Sequence, residues 1–112
     1  MEISHINDDE LTIAAARFAA LGSEQRLSVL RTLVRAGPEG LSIGVLGDKT
    51  GVTGSTLTHH LKILTSAGLV LQSKHGRSTI CAAIAYDEIN KLSAFLLREC
   101  CADSDAGPEG QD

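Results

Sequence analysis

Gly51-Val52-Thr53-Gly54-Ser55-Thr56-Leu57-Thr58-His59-His60-Leu61-Lys62-Ile63-Leu64, followed by Ala67-Gly68-Leu69-Val70, is the stretch whose reading decides the fold. Its two leading glycines make a tight connection. Beyond them Leu57, Leu61, Ile63 and Leu64 follow helical spacing, with Ser55, Thr56, Thr58, His59, His60 and Lys62 between them. Gly68 ends the helix and the period changes to two. Leu69-Val70-Leu71-Gln72-Ser73 and Ser78-Thr79-Ile80-Cys81-Ala82 flank Lys74-His75-Gly76-Arg77, a pattern that predicts a β-hairpin with Gly76 in its turn. A polar-faced helix running into a hairpin with a basic tip predicts a DNA-recognition helix and its wing.

The chain upstream supplies the rest of that architecture. Leu11, Ala14, Ala15, Phe18, Ala19 and Leu21 have the spacing of a first helix, which Gly22 closes. Ser23 sets an N-cap ahead of Glu24 and Gln25, and Leu27, Val29, Leu30, Leu33 and Val34 form the stripe of a second helix ending near Gly37-Pro38. Gly37-Pro38-Glu39-Gly40 is a turn, after which Ser42 caps a short third helix over 43–50. A last helix over 86–101 carries Ile89, Leu92, Phe95 and Leu96. We therefore expect a loose arm over 1–9, one folded domain over 10–101 and an unfolded polar tail over 102–112. The predicted class is mainly α with a small β-hairpin, a homodimeric winged helix-turn-helix.

With 112 residues there is room for one compact domain. Hydrophobic residues make up 43%, enough for a core, and no apolar run approaches the length of a membrane span. The acidic start MEISHINDDE is unlike a secretory leader, so a cytoplasmic protein with no membrane partner is expected. The net charge of −4 argues against indiscriminate coating of nucleic acid. That average conceals an asymmetry. From Lys49 to Tyr86 there is no Asp or Glu, and Lys49, Lys62, Lys74 and Arg77 make the segment +4, leaving six basic against fourteen acidic residues elsewhere. The cationic segment coincides with the predicted recognition helix and wing, which points to double-stranded operator DNA. Ser55, Thr56, Thr58, His59, His60 and Lys62, with Lys74 and Arg77 on the wing, are the candidate DNA contacts, although His60, next to Leu61, can instead pack inward. His59 and His60 do not make a zinc site, because adjacent helical residues do not share a face. No catalytic constellation occurs in a plausible context, so no enzyme is expected.

Ala20-Leu21-Gly22-Ser23-Glu24-Gln25-Arg26-Leu27, the decisive stretch and the Lys-His-Gly-Arg wing together resemble the ArsR/SmtB family of bacterial metalloregulatory repressors over residues 11–100. The resemblance implies a homodimer paired through its terminal helices, DNA released when an inducer binds, and no catalysis. It also guides the search for the inducer site. The family's Cys-x-Cys site before the recognition helix is absent here, where Leu41-Ser42-Ile43-Gly44-Val45-Leu46-Gly47 stands, and the last helix lacks the histidines of the zinc-type site. Glu99-Cys100-Cys101 instead resembles an arsenical-sensing branch with a vicinal cysteine pair at the end of the last helix.

The chemistry of the three cysteines agrees with that resemblance. Trivalent arsenic and antimony are thiophilic and make pyramidal bonds, so a sensor needs two or three converging thiolates. Cys100 and Cys101 are the primary candidates, and adjacent helical residues diverge by about 100°, so they converge best where the helix frays. A static disulfide between neighbours is strained and is the least favoured role for them. Cys81, in the second wing strand, reads first as a core residue and second as a third thiolate. As(III), methylated As(III) and Sb(III) are all candidate inducers. The alternative is a redox or reactive-sulfur switch linking Cys81 to the pair; a third reading is a protein-interaction module without DNA. For assembly, Leu11, Ala15, Phe18, Leu92, Phe95 and Leu96 are the expected dimer surface.

Overall fold

The computed structural model describes residues 8–104. Asp8, Asp9 and Glu10 open the first helix, α1 (Asp8–Ala20), and Arg17 lies in its last turn, charges that complement the helix dipole at both ends. Helix α1 thus begins inside the expected 1–9 arm, whose first seven residues lie outside the described chain. Helix α2 (Glu24–Ala36) starts where Ser23 predicted, the Ser23 hydroxyl accepting from the Arg26 N–H at 3.3 Å. Ser42 does the same for α3 (Ile43–Thr50), accepting from Val45 N–H at 3.3 Å. The decisive stretch is α4 (Gly54–Ser66), and the hairpin after it pairs β2 (Val70–His75) with β3 (Ser78–Ala83).

Leu41 and Ser42 form a strand of their own, β1, antiparallel to β3, with Leu41 opposite Cys81 and Ser42 opposite Ile80. The sheet therefore has three strands, in the order β1-β3-β2, where the sequence predicted a bare hairpin. Two residues are too few to show alternation, so only the tertiary contact reveals this strand. The hairpin strands also run closer to the turn than expected: Lys74 pairs with Thr79 and His75 with Ser78, which leaves Gly76 and Arg77 at the tip.

The chain ends differently from expectation. Helix α5 (Tyr86–Ala94) gives way to a 3₁₀ turn, Phe95–Leu97, and then to turns that reach Asp103, so the regular helix stops well before Cys101. The part of the predicted tail beyond residue 104 lies outside the described residues.

The core forms between these layers. Val29 and Leu33 of α2, Leu46 of α3, Leu57, Leu61 and Leu64 of α4, and Leu69, Val70 and Cys81 beside or within the sheet are all nearly inaccessible. Leucines at 57, 61 and 64 bury one face of α4, and the hydroxyls between them remain outside. That division fixes the direction in which the recognition helix points.

Candidate functional site

On α4 the side chains of Ser55, Thr56, Thr58, His59 and Lys62 are exposed, and so are Lys74 and Arg77 at the wing. Seven of the eight candidate DNA contacts are thus accessible on the helix and the hairpin. Thr53, at the start of α4, makes no side-chain capping bond, so the amides of the first turn have no side-chain acceptor there.

His60 is the exception and corrects the expectation that it reads DNA. Only 8% of it is accessible, because it turns toward the start of α2. Its Nε2 lies 2.8 Å from Gln25 Oε1, and its Nδ1 lies 3.3 Å from Arg26 Nη1. Gln25 Oε1 can only accept and Arg26 can only donate, which sets the neutral ring with its proton on Nε2. Arg26 is held in turn by its Nε–H donated to the Ala20 carbonyl at 2.6 Å. Burial, then the Arg26 charge, then His59 hold the His60 pKa below its ordinary value. The unfolded chain therefore takes up this proton at a higher pH than the folded one. The resulting stability is present above about pH 6.5, the ordinary histidine value, and is lost as pH falls through it toward the lower folded value. Urea midpoints measured between about pH 7 and pH 5 are expected to fall more steeply in the wild type than in His60→Gln; equal slopes would remove His60 as the cause.

The cysteines separate into two environments. Cys100 and Cys101 are half-buried thiols with Sγ atoms 3.2 Å apart. Cys101 has φ of 65°, a left-handed turn, which places both side chains on one side of the backbone instead of the 100° apart that a helix would impose. The hydrogen bond to Cys100, followed by burial, raises the Cys101 thiol above the ordinary value. Cys81 is not with them. It is wholly buried in β3 among the core side chains, and burial raises its pKa against the opposing hydrogen bond from Gln72. Among the described residues no group of three His, Cys, Asp or Glu converges to hold a metal ion, so a Cys81 third ligand is not assembled within one chain. The physical reason is strand alternation: Cys81 falls on the face of the sheet that packs on the core.

The segment bearing the thiol pair is tied to the rest of the molecule. The Arg98 guanidinium makes a two-pronged ion pair with Glu10 at the start of α1, one contact at 3.0 Å, and its charge lies 5.3 Å from the centre of the Phe95 ring. Beside it, a groove of about 250 Å³ runs between α1 and α5, floored by Ile13, Ala14, Leu92 and Phe95. Arg17 crosses from α1 to the end of the recognition helix, donating from Nε to the Ala67 carbonyl at 3.1 Å and from Nη2 to the Gly68 carbonyl at 3.4 Å. Its third contact is Glu88 of α5, at 3.7 Å. An exposed ion pair contributes about 0–1 kcal/mol and a charged hydrogen bond about 1.5–3 kcal/mol, so the carbonyl contacts dominate. Sequence reasoning missed Gln25, Arg26 and Arg17; each is a polar residue near a helix end, indistinguishable in sequence from a solvated one.

Leu11, Ala15, Phe18 and Leu96 are exposed as the dimer reading requires, and Leu96 is 74% accessible. Leu92 is buried and Phe95 is partly buried against the core of their own chain, and both also line the groove between α1 and α5. Ile13 and Leu97, both exposed, enlarge the apolar surface.

A recognition helix set on a short preceding helix, with a basic wing after it, defines a winged helix-turn-helix DNA-binding protein. Comparison with known proteins agrees. Residues 21–72 match a helix-turn-helix domain model. The chain is 40% identical over 72 residues to the uncharacterised HTH-type transcriptional regulator YceK of Bacillus subtilis (strain 168), covering 64% of this chain and 69% of that protein. It is 30% identical over 101 residues to the nodulation protein NolR of Rhizobium meliloti, covering 90% of this chain and 80% of that one. The solved structure of an ArsR-like transcriptional regulator from Rhodococcus sp. RHA1 superposes with a TM-score of 0.70 at 31% identity, covering 88% of both chains. The chain belongs to the ArsR-type family of winged helix-turn-helix transcriptional regulators. Its relatives are regulators of transcription, not enzymes. No helix among the described residues is long and apolar enough to cross a membrane.

Proposed function

We propose that this regulator is a homodimeric repressor that leaves its double-stranded operator when a trivalent arsenical or antimonial bridges Cys100 and Cys101. The observation that carries this reading is the 3.2 Å separation of the two Sγ atoms, which lets one soft atom bond to both. With Cys81 elsewhere, a chain offers two thiolates. Two suit a monomethylated As(III) species best, because it has two exchangeable oxygens and a methyl group in its third position. Each As–O bond is replaced by As–S, and the two thiol protons leave with the oxygens as two waters. Inorganic arsenite or antimonite keeps one oxygen ligand on the same pair.

The apolar side chains exposed on α1 and after α5, Leu11, Ile13, Phe18, Leu96 and Leu97, support a second copy of the chain as the cover for that face. Bridging the thiols alters the turn that follows α5. Arg98–Glu10 connects that turn to α1, and Arg17 connects α1 to the carboxyl end of α4. Release requires only that the inducer bind more tightly to the conformation with poorer recognition-helix spacing.

The test uses a duplex selected by the protein from a random library, labelled for fluorescence anisotropy and titrated with methylarsenite and with arsenite. Release near one equivalent of methylarsenite per chain, at lower concentration than with arsenite, is expected; retention of DNA with both overturns the arsenical reading. The DNA surface has a separate test. Replacing Lys74 and Arg77 together with alanine is expected to reduce the salt slope of binding by about two per chain, or about four for the dimer, since each neutralised phosphate contributes about 0.9. An unchanged slope would remove the wing from the interface. Thr58 or His59 variants should instead shift the selected sequence, because base-edge contacts specify.

A further inference from the structure

The turn that brings the two thiols together also permits a reaction with no inducer present. On a helix, neighbouring side chains diverge by about 100°, and on a strand they point to opposite faces, so adjacent cysteines ordinarily do not meet. Here the left-handed φ of 65° at Cys101 removes that divergence, and the Sγ atoms lie 3.2 Å apart and half-accessible at the end of the described chain. Cys81, the only other thiol, is inaccessible in the sheet and cannot act as the resolving group without opening the core.

We infer that Cys100 and Cys101 form a reversible vicinal disulfide on exposure to a hydroperoxide, and that this bridge closes the thiol site to arsenicals. The chemistry balances within the pair. One thiolate attacks the peroxide, the S–O bond forms as the O–O bond breaks, and the leaving oxygen takes a proton. The second thiolate then attacks the sulfenic sulfur, the S–S bond forms, and the S–O oxygen departs as water. The two sulfurs together lose two electrons, and the hydroperoxide gains them as water and an alcohol, or as two waters when it is hydrogen peroxide. Adjacent Cα atoms are about 3.8 Å apart, shorter than the roughly 4.4–6.8 Å that unstrained bridges span, so this disulfide is strained and readily reduced. Strain excludes a permanent structural bridge and suits a reversible one. The bridge leaves no thiolate for arsenic, so the oxidised repressor is deaf to the inducer.

The sequence provides a clean assay. No Lys or Arg follows Arg98, so trypsin releases both cysteines in the peptide 99–112, while Cys81 falls in the peptide 78–91. Reduced protein is treated with hydrogen peroxide, alkylated with iodoacetamide, digested and weighed. Peptide 99–112 is expected to lose two hydrogens and both alkylation sites, and to regain them after dithiothreitol. A crosslink between 78–91 and 99–112, a crosslink between two copies of 99–112, or addition of oxygen to the peptide without loss of hydrogen would each overturn the vicinal bridge. In a second arm, the oxidised protein should take up no methylarsenite by mass until it is reduced; uptake equal to that of the reduced protein would overturn the closure. This second step rests on the arsenical reading, and the two failures are distinguishable: if reduced protein binds no arsenical, that reading falls while the peptide mass still decides the disulfide.

Discussion

Replacing Cys100 with serine is expected to leave the DNA affinity of the untreated protein unchanged and to abolish its release by methylarsenite at concentrations that free the wild type. A two-point attachment gains about 10²–10⁴-fold over a single bond because the second step is intramolecular, and removing one thiolate forfeits that gain. Serine preserves the side-chain size, but its hydroxyl stays protonated at neutral pH and is a poor ligand for a soft centre. Cys101→Ser should behave the same way, since neither thiol has a substitute within reach. Cys81→Ala is the contrasting case: the loss is one of stability, because the side chain fills the core, and the folded variant should still respond. Two serine variants that both still release DNA would refute the pair as the inducer site.

The second large effect concerns Gly40, just before β1. Its φ is 74°, and a Cβ built there would lie 2.2 Å from the Cys81 carbonyl oxygen and 2.9 Å from the carbonyl carbon. Gly40→Ala therefore incurs both the left-handed penalty, about 1–2 kcal/mol, and the cost of forcing β1 away from β3, about 1–3 kcal/mol. The expected sum is about 2–5 kcal/mol, which at about 4–8 °C per kcal/mol means a melting temperature lower by about 8–40 °C. Gly37 provides the control. Its φ of 85° and ψ of −174° lie in a region kept almost wholly for glycine, but nothing lies within 4 Å of its would-be Cβ, so Gly37→Ala should cost only the conformational part, about 1–3 kcal/mol. Equal melting temperatures for the two variants would mean that β1 tolerates displacement and does not anchor the sheet.

These residues also mark the boundary between what the chain states locally and what emerges only on folding. Ser23 and Ser42 cap their helices as predicted, because a cap depends on residues within one turn. The leucine spacing of α4 told correctly which face is buried, and Lys62, Lys74 and Arg77 of the acid-free run from Lys49 to Tyr86 are found exposed on that helix and on the wing. The hairpin and its basic tip were legible for the same reason, since alternation and a turn glycine are local. The adjacency of Cys100 and Cys101 was plain.

Tertiary structure decided the rest. Whether His60 faced DNA or the core depended on Gln25 and Arg26, residues 35 and 34 positions away, whose side chains receive its ring. Cys81 was a ligand candidate, and only the packing of the sheet face that carries it against the core showed that its thiol is inaccessible. Leu92 and Phe95 have the spacing of an interface and the same spacing as a core stripe; only the position of α5 against the domain shows that they pack on the core of their own chain. The convergence of the two thiols rests on a single backbone angle at Cys101, set where the helix gives way to turns. Periodicity and capping act over a few residues and are written in the sequence, whereas burial of a polar or sulfur-bearing side chain depends on groups brought near from far along the chain.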